Sequence, residues 1–147
     1  MFATPLPVTQ HLGRLQLADL AVDSFPYTSH TTSPYTSHTR GSDALWVGVP
    51  LATKICSAFA SRVVASLLTN VGLPELIATS DEDYLALLIG LAPDRDRLRK
   101  VRERLAHSRL SCPLFDTEGF PSNLLDLYEA IWRQELRGER KPIDLRA

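Results

Sequence analysis

The sequence has little of what staples or metallates a small domain: its only two cysteines, Cys56 and Cys112, lie far apart. That excludes a dense disulfide framework and any paired CxxC metal site. An excess of charge of one sign is also missing. Sixteen Lys and Arg stand against seventeen Asp and Glu, a formal net charge of -1, so no whole-chain field draws the protein to nucleic acid or to an anionic membrane. No apolar run reaches membrane-spanning length, and Pro5 and Pro7 interrupt what would have to be the apolar part of a signal peptide. Together these absences point to a reduced, cytoplasmic setting without membrane or nucleic-acid partners. The GxSxG nucleophile elbow, the Walker loop and the GxGxxG fingerprint are absent too, which disfavours hydrolases, NTPases and dehydrogenases.

What remains is ordinary globular material. The 147 residues, 44% hydrophobic and 22% charged, suffice for one domain with a real core. Leu12, Leu15 and Leu17 suit a short helix from His11, leading into an apolar run, Leu20-Ala21-Val22, of buried-strand character. Ser42 offers an N-cap for a short helix through Trp46, stopped by Gly48 and Pro50. Leu51-Ala52-Thr53 reads as the next strand, and Phe59, Val63, Leu67 and Val71 fall at helical spacing after it. Ser80 and Asp83 form a capping box for a helix through Leu85, Leu88 and Ile89, ended by Pro93. Leu98, Val101 and Leu105 share one face of a helix over 94–108, and the arginines there, interleaved with Asp94, Asp96 and Glu103, make a solvated face. A last helix from Ser122 to Leu136 is predicted to bury Leu124, Leu125, Tyr128, Ile131 and Trp132, with Gly138 as its stop. Alternating short strands and helices followed by a helical tail predict an α/β layer architecture.

Residues 24–42 carry no apolar periodicity, and within them an eight-residue unit, Pro26 to Ser33, recurs directly as Pro34 to Gly41. Two copies of eight residues are too short to make a solenoid, so the duplication lengthens one surface loop. In a parallel sheet, ligands bind beyond the carboxyl ends of the strands, where a helix start offers free N–H groups to phosphate. The stretch from Thr31 to Asp43, with its hydroxyls and a turn-forming Gly41, reads as such a phosphate site or as a plain polar connection. His11 is a site residue or a half-buried polar side chain. The spacing of His30, His38 and Cys56 fits no zinc pattern.

A series of motifs in order sharpens these readings: His11-Leu12-Gly13-Arg14, Leu17-Ala18-Asp19-Leu20, His30-Thr31-Thr32, Ser42 through Pro50, Ala60-Ser61-Arg62-Val63, Ser111 through Thr117, and Leu127-Tyr128 with Trp132. The series resembles the C-terminal catalytic region of the protein O-GlcNAc transferase family, SPINDLY-like members included, from about residue 7 to 145. The resemblance implies the C-terminal Rossmann-like lobe of a GT-B glycosyltransferase, with UDP-GlcNAc as donor, protein Ser and Thr hydroxyls as acceptors, and neither a cofactor nor a bound metal. It further implies that His11 stacks on uracil, that Arg14 lies beside the base, that the His-Thr-Thr element holds the pyrophosphate, and that the Asp43 carboxylate accepts the ribose hydroxyls. Donors using GDP-fucose or UDP-glucose remain alternatives within the class.

Departures from the family pattern accompany the matches. His30-Thr31-Thr32 has the family residues but is displaced by the duplication, whereas His38-Thr39-Arg40 has the family distance to Asp43 with Arg40 in a threonine place. Because Asp43 fixes the register, His38 and Thr39 are the expected phosphate residues, and Arg40 brings a charge able to neutralise phosphate. Ile55-Cys56 replaces an expected Pro-Gly, and Val8 replaces a basic residue. The resemblance also places an N-terminal lobe, tetratricopeptide repeats and the acceptor groove upstream of this stretch. The expectation is therefore a single partial domain over 1–147, inactive alone; the alternative is a degenerate nucleotide-binding or scaffolding module.

Overall fold

A computed structural model describes residues 4, 6–24 and 40–143. Two compact units divide the chain, Met1–Leu114 and Phe115–Ala147. The first is built as helix α1 (Val8–Leu15), strand β1 (Ala21–Val22), α2 (Arg40–Trp46), β2 (Leu51–Lys54), α3 (Val63–Asn70), β3 (Ile77–Ala78), α4 (Asp81–Leu91) and α5 (Arg95–Ser108). The strands form one parallel sheet in the order β1-β2-β3, with Ala21 opposite Leu51 and Thr53 opposite Ile77. Parallel neighbours need a crossover, and α2 and α3 supply the two.

The sheet is narrow, so its core comes mostly from the helices on it. Leu45 of α2, Val64 and Leu68 of α3, Leu91 of α4 and Leu105 of α5 are fully buried, as are Val49, Leu73 and Leu76 in the turns between elements. Leu98 and Val101 join Leu105 on the buried face of α5, as the sequence pattern predicts. Elsewhere the buried face is turned by about one residue from the predicted one. In α3 the buried residues are Val64, Ala65 and Leu68, while Val63 and Leu67 are half-buried and Phe59 is exposed; Val71, just past the helix end, is buried as its spacing predicts. In α4 Tyr84 and Leu91 are buried, whereas Leu85 and Ile89 face solvent. Both helices are apolar almost all round, so periodicity alone does not choose the inward face; contact with the sheet does. Tyr84 packs there against Ala52 and Ala78, with Leu87 and Leu88 beside it.

Caps fix the element ends. Ser80 Oγ accepts the Asp83 N–H at 3.0 Å, as the capping box requires, and Asp94 caps α5 through the Arg97 N–H at 2.9 Å. Gly48 stops α2 at φ 83°, and the Val49 N–H returns to the Ala44 carbonyl at 2.8 Å, a left-handed closure that suits glycine. Ser42 is not the N-cap: α2 already begins at Arg40, and Ser42 lies inside it. Gly41 is likewise helical instead of forming a turn. A Cβ there would meet Leu67, Val64 and Leu51, so the glycine lets α2 sit tightly on α3 and β2. The helix α1 begins at Val8, three residues before the expected start, and Leu17 lies beyond it, exposed.

The second unit holds one long helix, α6 (Gly119–Leu136). Asp116 caps its first turn, accepting the Gly119 N–H at 2.8 Å. Its predicted apolar stripe exists, yet Leu125, Tyr128, Ile131 and Trp132 are exposed and Leu124 is half-buried. A single helix has no second layer within its unit to cover that stripe.

Candidate functional site

The carboxyl ends of β1 and β2 and the first turn of α2 define one edge of the sheet, the edge where α/β folds bind ligands. Asp43 stands in the first turn of α2 and is half-buried. Helix α1 packs on α2 and carries His11 and Arg14, one turn apart on the same face. Arg14 Nη2 lies 3.4 Å from His11 Nδ1, and Nη1 donates to the Thr4 carbonyl at 3.0 Å. A guanidinium only donates, so Nδ1 is the accepting partner in this contact. Both side chains are half-buried, with ring and guanidinium held in register. His30, Thr31, Thr32, His38, Thr39 and the side chain of Arg40 lie outside the described residues.

Sequence reading overlooked several groups at this edge. Asp23, directly after β1, is buried and accepts a 2.7 Å hydrogen bond from Thr53 Oγ1 at the end of β2. The Tyr84 hydroxyl donates to the Asp23 carbonyl at 2.7 Å. Burial, followed by the Asp23 charge, pushes the Tyr84 phenol up to about 12, so it remains a donor at neutral pH. Lys54, the last residue of β2, pairs with Asp81 at the start of α4, and that hydrogen bond holds the ammonium above the usual lysine range. The only sequence signal for this set was an acidic residue and a Thr-Lys pair following two apolar runs.

The turn after β2, where the resemblance leads us to expect Pro-Gly, is closed by Ile55-Cys56 and Ser61. Ile55 N–H donates to the Ala78 carbonyl at 2.9 Å, a bond proline cannot make, and the buried Ser61 hydroxyl accepts from Cys56 N–H at 3.2 Å while donating to the Ala58 carbonyl at 2.7 Å. The turn is thus closed without a Pro-Gly pair. Behind α2, Arg109 lies 5.6 Å from the Trp46 ring centroid and donates to the Trp46 carbonyl at 2.7 Å, tying the helix end to the segment after α5.

Parallel strands joined by helices, with half-buried polar groups at their carboxyl edge, define a Rossmann-like α/β lobe. A solved structure titled Thermobaculum terrenum O-GlcNAc transferase mutant K341M superposes on this chain with a TM-score of 0.75 at 32% identity, over 88% of this chain and 24% of that one. The model of glycosyl transferase family 41 matches residues 1–124, and the chain belongs to that family. It is 33% identical over 144 residues to a UDP-N-acetylglucosamine–peptide N-acetylglucosaminyltransferase of Caenorhabditis elegans, covering 98% of this chain and 12% of that protein. A probable enzyme of the same description from Arabidopsis thaliana, SEC, is 35% identical over 133 residues, or 90% of this chain and 13% of the relative. The chain therefore spans about an eighth of the length of these curated relatives.

Proposed function

We propose that this chain is the donor-binding part of a transferase that moves GlcNAc from UDP-GlcNAc to protein Ser and Thr hydroxyls. The observation that carries the reading is the juxtaposition of α1, presenting His11 and Arg14 on one face, with α2, carrying Asp43 in its first turn. An imidazole face stacks on uracil, the neighbouring guanidinium donates to its carbonyl oxygens, and a carboxylate accepts two vicinal ribose hydroxyls. The names of the family relatives support the same donor and a peptide acceptor. In this reading His38 and Thr39, with Arg40, hold the pyrophosphate and stabilise the charge that develops on departing UDP, with no cofactor or metal required. The acceptor is bound by regions upstream of this stretch, which include tetratricopeptide repeats, and the protein works in the cytoplasm.

The test is a transfer assay with the complete protein, offering UDP-GlcNAc, UDP-glucose and GDP-fucose with a Ser/Thr peptide. Transfer from UDP-GlcNAc is expected, with kcat/KM reduced about tenfold or more in Asp43→Ala, the loss of one charge-assisted hydrogen bond pair. The 147-residue chain alone is expected to show no transfer. Preference for another donor would correct the sugar; no transfer from any donor would favour a degenerate binding module.

A further inference from the structure

The sequence pattern marks the arginines of α5 as a solvated face, and Arg99 fits it, pairing with Asp96 and Glu103 along its own helix. Arg102, and Arg109 at the helix end, do not fit: both are half-buried and donate to backbone carbonyls on other elements. Seven residues apart, they lie two turns from each other on one side of α5. Arg102 Nη2 donates to the Ala18 carbonyl, just past α1, and Arg109 Nη1 donates at 2.7 Å to the Trp46 carbonyl, the last of α2. Arg104, elsewhere on the circumference of α5, makes the same kind of bond at 2.8 Å to the Gly72 carbonyl past α3.

A helix end leaves carbonyls without intrahelical partners, and the two half-buried arginines complete such a series. After α1 the Leu12, Arg14 and Leu15 carbonyls accept from the N–H groups of Gln16, Leu17 and Ala18, and the Ala18 carbonyl accepts from Arg102. In α2 the Asp43, Ala44 and Leu45 carbonyls accept from Val47, Val49 and Gly48, and the Trp46 carbonyl accepts from Arg109, whose guanidinium also lies over the Trp46 ring. A cation there faces the negative end of the helix dipole as well. With eight and seven residues, α1 and α2 are too short to hold a fixed place through their own hydrogen bonds, so outside contacts set it. The helix α5, by contrast, is anchored in the core through Leu98, Val101 and Leu105.

We propose that Arg102 and Arg109 are positioning residues for the nucleotide half-site: from the anchored α5 they set α1 against α2, and with them His11 and Arg14 against Asp43, without touching the ligand. The inference rests on the donor-site reading above and adds to it the support that holds the two short helices in register. Arg104 grips the end of α3, which carries no residue of that site, so the same bond there serves the fold alone.

The experiment compares Arg102→Met, Arg109→Met and Arg104→Met, each of which keeps an apolar stem and removes the guanidinium. Amide NMR of the 147-residue chain gives two readings: residual dipolar couplings report the angle between α1 and α2 without ligand, and titrations give the Kd for uridine and for UDP. Arg102→Met and Arg109→Met are each expected to change that angle and to raise the Kd about fivefold, the effect of one lost hydrogen bond. Both ligands weaken equally, because the base and ribose they share are held from α1 and α2. Arg104→Met is expected to lower Tm as far while leaving the angle unchanged and both Kd values within about twofold. Where a methionine variant does not fold, lysine at that position, a donor without the fork, is measured instead and moves both readings in the same direction. An unchanged angle or an unchanged Kd in either Arg102→Met or Arg109→Met would overturn the inference. So would an equal effect from all three variants, or a loss confined to UDP. An unsubstituted chain that binds neither ligand would sink the donor-site reading and this inference with it, and its own titration tells that failure from the others.

Discussion

Gly41 is the second residue of α2, and a Cβ added there would stand 3.3 Å from Leu67 Cδ1 and Val64 Cγ2 and 3.4 Å from Leu51 Cδ2. Those atoms belong to α3 and β2, with Val64 and Leu51 buried, so the helix rests on its neighbours at this point with no spare room. Alanine adds only the Cβ. Its squeeze is offset by the advantage of alanine over glycine in a helix, about 1 kcal/mol, so Gly41→Ala should lie within about 0.5 kcal/mol of the parent. Valine adds two further methyl groups in the same direction, and overpacking of this kind costs about 1–3 kcal/mol. Gly41→Val should therefore lose about 2 kcal/mol, a fall in Tm of roughly 5–8 °C for a chain of this size. Urea unfolding followed by circular dichroism reads the difference, and UDP binding should weaken in the valine variant because Asp43 lies two residues further along the displaced helix. A valine variant as stable as the alanine variant would refute the close approach of α2 to the sheet.

Three other perturbations have defined outcomes. The Tyr84 phenol, held at about 12 in the folded chain against an ordinary 10.0, contributes stability that is complete below pH 10 and is lost as pH climbs from there to about 12. Urea midpoints at pH about 9 and about 11 should therefore fall less for Tyr84→Phe than for the parent, and equal falls would contradict the burial of the phenol. Ser80→Ala removes the cap on the Asp83 N–H and should cost about 1 kcal/mol in urea unfolding, with no change contradicting the cap. His38→Ala should weaken UDP binding while His30→Ala does little; the reverse pattern would move the phosphate role to the first copy of the duplicated octapeptide.

The features that sequence revealed were those determined locally. Ser80 and Asp83 announce α4 because the cap and the N–H it satisfies lie three residues apart, and α5 declares its inner face because Leu98, Val101 and Leu105 contrast with charged neighbours. Gly48 ends α2 for an equally local reason. Where apolar residues run all round a helix, as in α3 and α4, the pattern cannot say which side the sheet will cover, and the predicted face was turned by about a residue. The strand β3 escaped notice because two residues, Ile77 and Ala78, show no period. Gly41 looked like a turn residue since its true role, close approach to Leu51, Val64 and Leu67, is a tertiary one. His11, Arg14 and Asp43 are singled out by an ordered set of motifs, whereas Asp23, Thr53 and Tyr84 come together only when β1, β2 and α4 are assembled across 61 positions of sequence.

The most direct measurement of the central claim is a two-dimensional amide NMR titration of the 147-residue chain with UDP and, in a separate sample, with GDP. A donor half-site for a uridine nucleotide predicts dispersed peaks that move with UDP around His11, Arg14 and Asp43 and stay in place with GDP. Dispersed peaks that ignore UDP, or that move as far with GDP, would contradict it.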